Sequence, residues 1–96
     1  MLVLITYDVK TETSEGRKRL RKVAKVCENY GQRVQNSVFE CELNSGQLLR
    51  VKDQLVNLID LNSDSLRFYS LGNNYKNKVE HYGVKPSVDM NDPLII

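Results

Sequence analysis

The sequence has no tryptophan, one histidine, two cysteines and two prolines in 96 residues. Two cysteines without neighbouring histidines make neither a zinc site of the usual spacing nor a disulfide framework. Cys27 and Cys41 each sit among apolar neighbours and read as buried thiols in a reducing cytoplasm. Long apolar runs are lacking too. Nothing approaches the roughly 18 consecutive apolar residues of a membrane span, so no membrane partner is expected. The opening stretch MLVLITYD is cut short by Asp8 and has no basic residue before it, which is unlike a secretory leader. There is no glycine-rich phosphate loop, no repeat, no low-complexity tract and no internal linker. The length suits one domain, and a chain this short buries only about two thirds of its unfolded surface. A partner subunit would therefore add useful stability.

One further absence is local. From Arg17 to Lys25 there is no acid, while six residues are basic: Arg17, Lys18, Arg19, Arg21, Lys22 and Lys25. The net charge of +2 conceals this asymmetry. Most of these cations have no acidic residue four positions away to pair with, whereas a merely solubilising helix mixes its signs. A face of this kind reads either as a solvated face or as one that suits a polyanion, bound through phosphates with strong salt dependence and little regard for sequence.

Periodicity orders the rest. Residues 2–8 predict a strand apolar on both faces, hence central and covered on both sides. Thr13 or Ser14 can cap a helix whose stripe is Leu20, Val23, Ala24 and Cys27, extended by Tyr30 and ended by Gly31. QRVQNSVFECEL predicts two short strands around a tight turn or bulge at Gln35-Asn36-Ser37, with Phe39, Cys41 and Leu43 in one phase. Asn44 or Ser45 caps a second helix with the stripe Leu48, Val51, Leu55, Leu58 and Ile59. LNSD reads as a turn, Ser65 to Leu71 as a strand, GNN as a turn and Lys78 to Gly83 as a fifth strand. The order βαββαβ plus one strand is that of an α+β, ferredoxin-like domain over residues 1–83, followed by a tail over 84–96. Right-handed crossovers place both helices on one face of the sheet. Because the first strand is apolar on both sides, the other face needs a cover, and a second copy of the chain is the simplest one. A homodimer packed through its sheets is therefore expected.

Asp8 ends the central strand beside a loop. It reads either as a solvated carboxylate or as a metal ligand or general base. Magnesium keeps several waters and takes one or two protein carboxylates. A two-fold axis near Asp8 would turn one aspartate per chain into a pair whose repulsion a divalent cation relieves. His81 reads as a surface or interface residue. Glu12 and Glu15 serve the loop and the helix start, with an outer contact to a metal as the lesser reading.

YDV at Tyr7 to Val9, RKRLRKVAK from Arg17, YG at Tyr30 to Gly31 and RVQNSVFEC from Arg33 to Cys41 together resemble CRISPR-associated protein 2, the small subunit of the spacer-acquisition machinery. The likeness covers roughly residues 2 to 71 and departs in the loop Lys10-Thr11-Glu12-Thr13. It implies a homodimer with facing sheets and an Mg2+- or Mn2+-dependent endonuclease of RNA or DNA. It also implies assembly with the CRISPR integrase subunit. The resemblance carries over Asp8 as the catalytic and metal residue, and Arg17, Arg19, Arg33 and Phe39 as substrate-binding or site-shaping residues. Its alternative is a non-catalytic DNA-binding scaffold that bridges the integrase during spacer integration. A ferredoxin-like regulatory module binding a small molecule is the third reading, and it has no use for the basic helix.

Overall fold

Local chemistry decides where each helix begins. Thr13 stands in extended conformation and its hydroxyl accepts the Gly16 amide at 3.0 Å, starting α1 (Ser14–Tyr30). Asn44 and Gln47 exchange reciprocal bonds, Gln47 N donating to Asn44 Oδ1 at 2.8 Å and Asn44 N to Gln47 Oε1 at 2.9 Å, and this capping box starts α2 (Ser45–Leu58). The amide of Gly31 closes α1 onto the Cys27 carbonyl at 3.0 Å. The computed structural model describes residues 1–71 and 78–84. Its strands are β1 (Leu2–Asp8), β2 (Gln32–Gln35), β3 (Val38–Glu42), β4 (Ser65–Leu71) and β5 (Lys78–Gly83). The turn expected over 72–74 and the tail from 85 onward lie outside the described residues.

The strands form a sheet in the order β2-β3-β1-β4-β5, antiparallel at every pairing. The first four strands have the ferredoxin-like arrangement, and β5 extends the sheet beyond β4. β1 lies at the centre, as its two apolar faces require. The register shifts between Arg33 and Gln35 on β2, a bulge beside the Asn36-Ser37 turn.

Val3, Ile5 and Tyr7 point toward the helices and are buried with Phe39 and Cys41 of β3 and Leu66 and Phe68 of β4. Val23 and Cys27 of α1 and Val51 and Leu55 of α2 complete that core. β5 is held to it by an ion pair between Lys52 of α2 and Glu80, with the Tyr82 hydroxyl donating to the same carboxylate at 3.2 Å. Leu2, Leu4, Thr6 and Asp8 alternate onto the opposite face, in register with Arg67, Tyr69, His81 and Val79. Both helices pack on the first face, and among the described residues no helix covers this second face, where Leu2, Leu4 and Thr6 are half-buried and Tyr69 is buried.

Candidate functional site

The C-terminal end of β1 brings together the loop that follows it, the start of α1, the loop between α2 and β4, and the exit of β5. Asp8 sits there on the second face, opposite Ser65, and is exposed. Among the described residues its carboxylate takes no hydrogen bond and no ion pair. The next residue, Val9, turns back into the core at 7% exposure, which ends the strand and leaves Asp8 as its last outward side chain. No group of three or more His, Cys, Asp or Glu residues converges to hold a metal among the described residues. Among the described residues the donor set of one chain at this end of the sheet is thus one unengaged carboxylate facing outward. That set suits a hydrated Mg2+ or Mn2+, which binds few protein oxygens, and does not suit an all-protein cage.

Behind this edge lies a residue that sequence reasoning missed. Asp64 has no exposed surface and is the buried charged residue of the described structure. Its carboxylate accepts the Lys10 amide at 3.0 Å, the Asp60 amide at 2.9 Å and Arg19 Nε at 2.8 Å. Burial alone would push its pKa up, but the Arg19 guanidinium and the two amides outweigh that and hold the carboxyl below its ordinary range. Its carbonyl accepts the Val84 amide at 2.9 Å, and Gly83 before it has φ of 93°. A Cβ on Gly83 would run into that same carbonyl. LNSD is a turn, as expected, but its aspartate serves as a hub. The available signal was its position just before a buried strand, four residues after Asp60, where turn amides need acceptors.

The residues carried over by resemblance fall into two groups. Arg17 and Arg19 start α1 at the Asp8 end. Arg17 is exposed and donates to the Thr11 carbonyl at 3.1 Å, so it braces its own loop while its charge stays in solvent. Arg19 is engaged by Asp64. Arg33 and Phe39 lie in register with Ile5, so they belong to the helix side of the sheet, away from Asp8. Arg33 pairs loosely with Glu28 at 3.7 Å and covers the Phe39 ring, its guanidinium carbon 5.1 Å from the centroid. Phe39 itself has no exposed surface and stacks on Tyr7 at 6.2 Å. Of the two roles carried over for Phe39, contact with a substrate or shaping of the site, its burial in a single chain fits the second: the ring supports Arg33 and β1 from below.

Lys18, Arg21, Lys22 and Lys25 are exposed along α1, opposite its buried Val23 and Cys27. None of the four has an ion pair among the described residues. A cleft of about 370 Å³ between the two loops is lined in part by Lys10, Glu12, Thr13, Arg19 and Asp60. Both thiols are free and buried, and burial pushes Cys27 up to about 12 and Cys41 up to about 11. His81 lies on the second face, where Arg67 Nε donates to its Nδ1 at 2.9 Å, leaving Nε2 to donate to the Val84 carbonyl at 2.9 Å. No helix of the described residues is long and apolar enough to cross a membrane.

Known proteins resemble this chain in sequence and in fold. The family profile described as CRISPR associated protein Cas2 matches residues 1–79. The CRISPR-associated endonuclease Cas2 of Halalkalibacterium halodurans is 68% identical over 95 residues, covering 99% of both chains. The CRISPR-associated endoribonuclease Cas2 of Chlorobaculum tepidum is 54% identical over 96 residues, covering 100% of both. Among solved structures, Streptococcus pyogenes Cas2 at pH 6.5 superposes with a TM-score of 0.70 at 59% identity, covering 78% of this chain and 90% of that one. A hypothetical protein from Thermus thermophilus gives a TM-score of 0.65 at 35% identity, covering 88% of this chain and 93% of that one.

Proposed function

Because this chain belongs to the CRISPR-associated Cas2 family, and because Asp8 points outward at the sheet end unengaged among the described residues, we propose that it is a divalent-metal-dependent endonuclease acting in CRISPR spacer acquisition. Relatives of this length are named endonuclease or endoribonuclease, which supports phosphodiester hydrolysis in DNA or RNA. The single observation that carries the reading is Asp8: exposed, without a protein partner among the described residues, and held at the end of the central strand on the face away from the helices.

The working unit is a homodimer. Leu2, Leu4, Thr6 and Val79 are apolar or weakly polar and lie on the second face, and a second copy removes them from water. The dimer brings two Asp8 side chains toward a common gap, and these two carboxylates would hold Mg2+ or Mn2+. When bound, the ion supplies Lewis acidity toward a phosphate oxygen and lowers the pKa of a water. The protein does the rest. Arg17 and the Lys18, Arg21, Lys22 and Lys25 face neutralise the backbone and hold the strand across the gap. Arg33, half exposed over Phe39, offers a further phosphate contact farther from the reacting end. Asp8 keeps its place because β1 is paired on both sides.

A second reading is favoured by the unpaired basic face itself, which needs no metal: a scaffold that holds DNA for the CRISPR integrase subunit. One experiment separates the two. Labelled single- and double-stranded DNA and RNA are incubated with the protein in Mg2+, in Mn2+ and in chelator, beside Asp8→Asn. The nuclease reading expects cleavage that chelator and Asp8→Asn both abolish, with duplex binding and dimer mass intact. Cleavage that survives in Asp8→Asn is contamination and sinks the nuclease reading. Spacer integration that Asp8→Asn leaves unchanged favours the scaffold. A monomer by sedimentation at micromolar concentration would end the shared-metal mechanism.

A further inference from the structure

Arg19 stands at the start of the basic helix, where a phosphate contact would be expected. Its guanidinium is already engaged. Nε donates to Asp64 Oδ2 at 2.8 Å and an NH2 group reaches Oδ1 at 3.4 Å. The same carboxylate holds the amides of Lys10 and Asp60. Lys10 is two residues beyond Asp8, and Val9 between them is buried. The strand exit is therefore fixed from two sides, by an apolar plug and by a hydrogen bond to a buried acceptor. Gly16 presses the first turn of α1 onto the Lys10 carbonyl, so closely that a Cβ there would collide with it. The main chain of Asp64 adds to the knot: its amide donates to the Asp60 carbonyl at 2.7 Å and its carbonyl accepts the Val84 amide.

The geometry points to Arg19 and Asp64 as positioning residues: Arg19 acts through Asp64 to hold the Lys10 amide and thereby the outward aim of Asp8, and does not contact the nucleic acid. This rests on the reading of Asp8 as the reactive group. The physical reason is that Asp64 can be the acceptor for two loop amides only while its charge is compensated. Without Arg19 the buried carboxylate takes up a proton or draws in water, and its grip on the Lys10 amide weakens. Without Asp64 the amides of Lys10 and Asp60 lose their acceptor, and the guanidinium is released to solvent. The two side chains act as a unit, so removing either removes the whole effect.

The test compares wild type with Arg19→Gln, Arg19→Lys, Asp64→Asn and Arg19→Gln/Asp64→Asn, at matched concentration. Four quantities are read: the KM and the kcat of metal-dependent cleavage, the salt dependence of duplex binding, and the exchange rate of the Lys10 amide. The inference expects kcat to fall ~10- to 100-fold in each single variant, the loss seen when a group that orients a metal ligand is removed. KM and the salt slope stay at the wild-type values, the double variant is no worse than either single one, and Arg19→Lys recovers part of the loss. Lys10 exchanges faster in both Arg19→Gln and Asp64→Asn. A salt slope reduced by about one in Arg19→Gln, with a raised KM, marks Arg19 as a phosphate contact and overturns the inference. So does a Lys10 amide as protected in Arg19→Gln as in wild type. If Asp64→Asn does not fold, Arg19→Gln decides alone by slope and exchange. If the wild type cleaves nothing, the nuclease reading has failed, while slope and exchange still judge whether Arg19 acts through Asp64.

Discussion

Phe39→Ala separates packing from recognition. The ring is fully buried, stacks on Tyr7 and lies beneath Arg33. Truncating such a side chain costs about 3–5 kcal/mol, the lost transfer free energy together with the cavity left behind. A domain of 96 residues has about 5–14 kcal/mol in all at the usual stability per residue. The variant therefore loses about a fifth or more of its stability, and at the lower end of that range lies close to unfolding. Phe39→Leu retains most of the apolar volume and costs about 1–2 kcal/mol. Urea unfolding followed by circular dichroism measures both at one protein concentration. With a urea slope of about 1.5 kcal/mol/M, the alanine midpoint falls by roughly two to three molar and the leucine midpoint by about one. Phe39→Leu, still folded, binds duplex DNA with wild-type affinity and salt slope. A leucine variant of normal stability whose binding or cleavage collapses would refute this reasoning, because it would show that the ring acts at an exposed surface.

Gly83→Ala forces a side chain into a positive-φ position against the Asp64 carbonyl, and its melting temperature should drop by roughly 5–20 °C; a drop of less than two degrees would show that the contact yields. Folding holds the Asp64 carboxyl below its ordinary range, so as pH falls the unfolded chain takes the proton first. The stability this group contributes is complete above about pH 4 and is lost as pH drops through the lower folded value. Asp64→Asn should accordingly show a flatter stability profile than wild type below pH 4, measured by urea midpoints; parallel profiles would remove Asp64 from the acid response. Cys27 and Cys41, pushed up to about 12 and about 11 by burial, should resist iodoacetamide at pH 8 in the native protein and both react in urea, as read by intact mass; a singly alkylated native protein would show that one thiol is open to solvent.

The elements were legible because each is announced locally. Thr13 and Asn44 accept helix amides, and the stripes through Val23 and Cys27 and through Val51 and Leu55 are the ones that pack. The two-faced apolarity of Leu2 to Tyr7 placed β1 at the centre of the sheet. Period-two alternation also put Phe39 in phase with Cys41 and Leu43, all three buried. On that pattern Phe39 belongs to the core, and only the family resemblance lent it a substrate role. Asp8 stood out as a carboxylate ending an apolar strand, and it is exposed, with no partner among the described residues. Asp64 did not stand out, because LNSD has an ordinary turn composition. Its partner Arg19 lies 45 residues away in a run of cations that look alike. Which of six basic residues is drawn inward depends on where two loops meet, and no periodicity encodes that.

The pairing of Asp8 with Ser65 has a consequence for how the protein is made. The strand that carries the acid leaves the ribosome well before its neighbour on one side, which follows more than fifty residues later. At elongation rates of about 5–20 residues per second, β1 waits seconds in the nascent chain with one edge unsatisfied. A truncated product stopping before β4 would therefore have the carboxylate but not the frame that aims it, so that only chains extended through β4 can carry an organised acidic site.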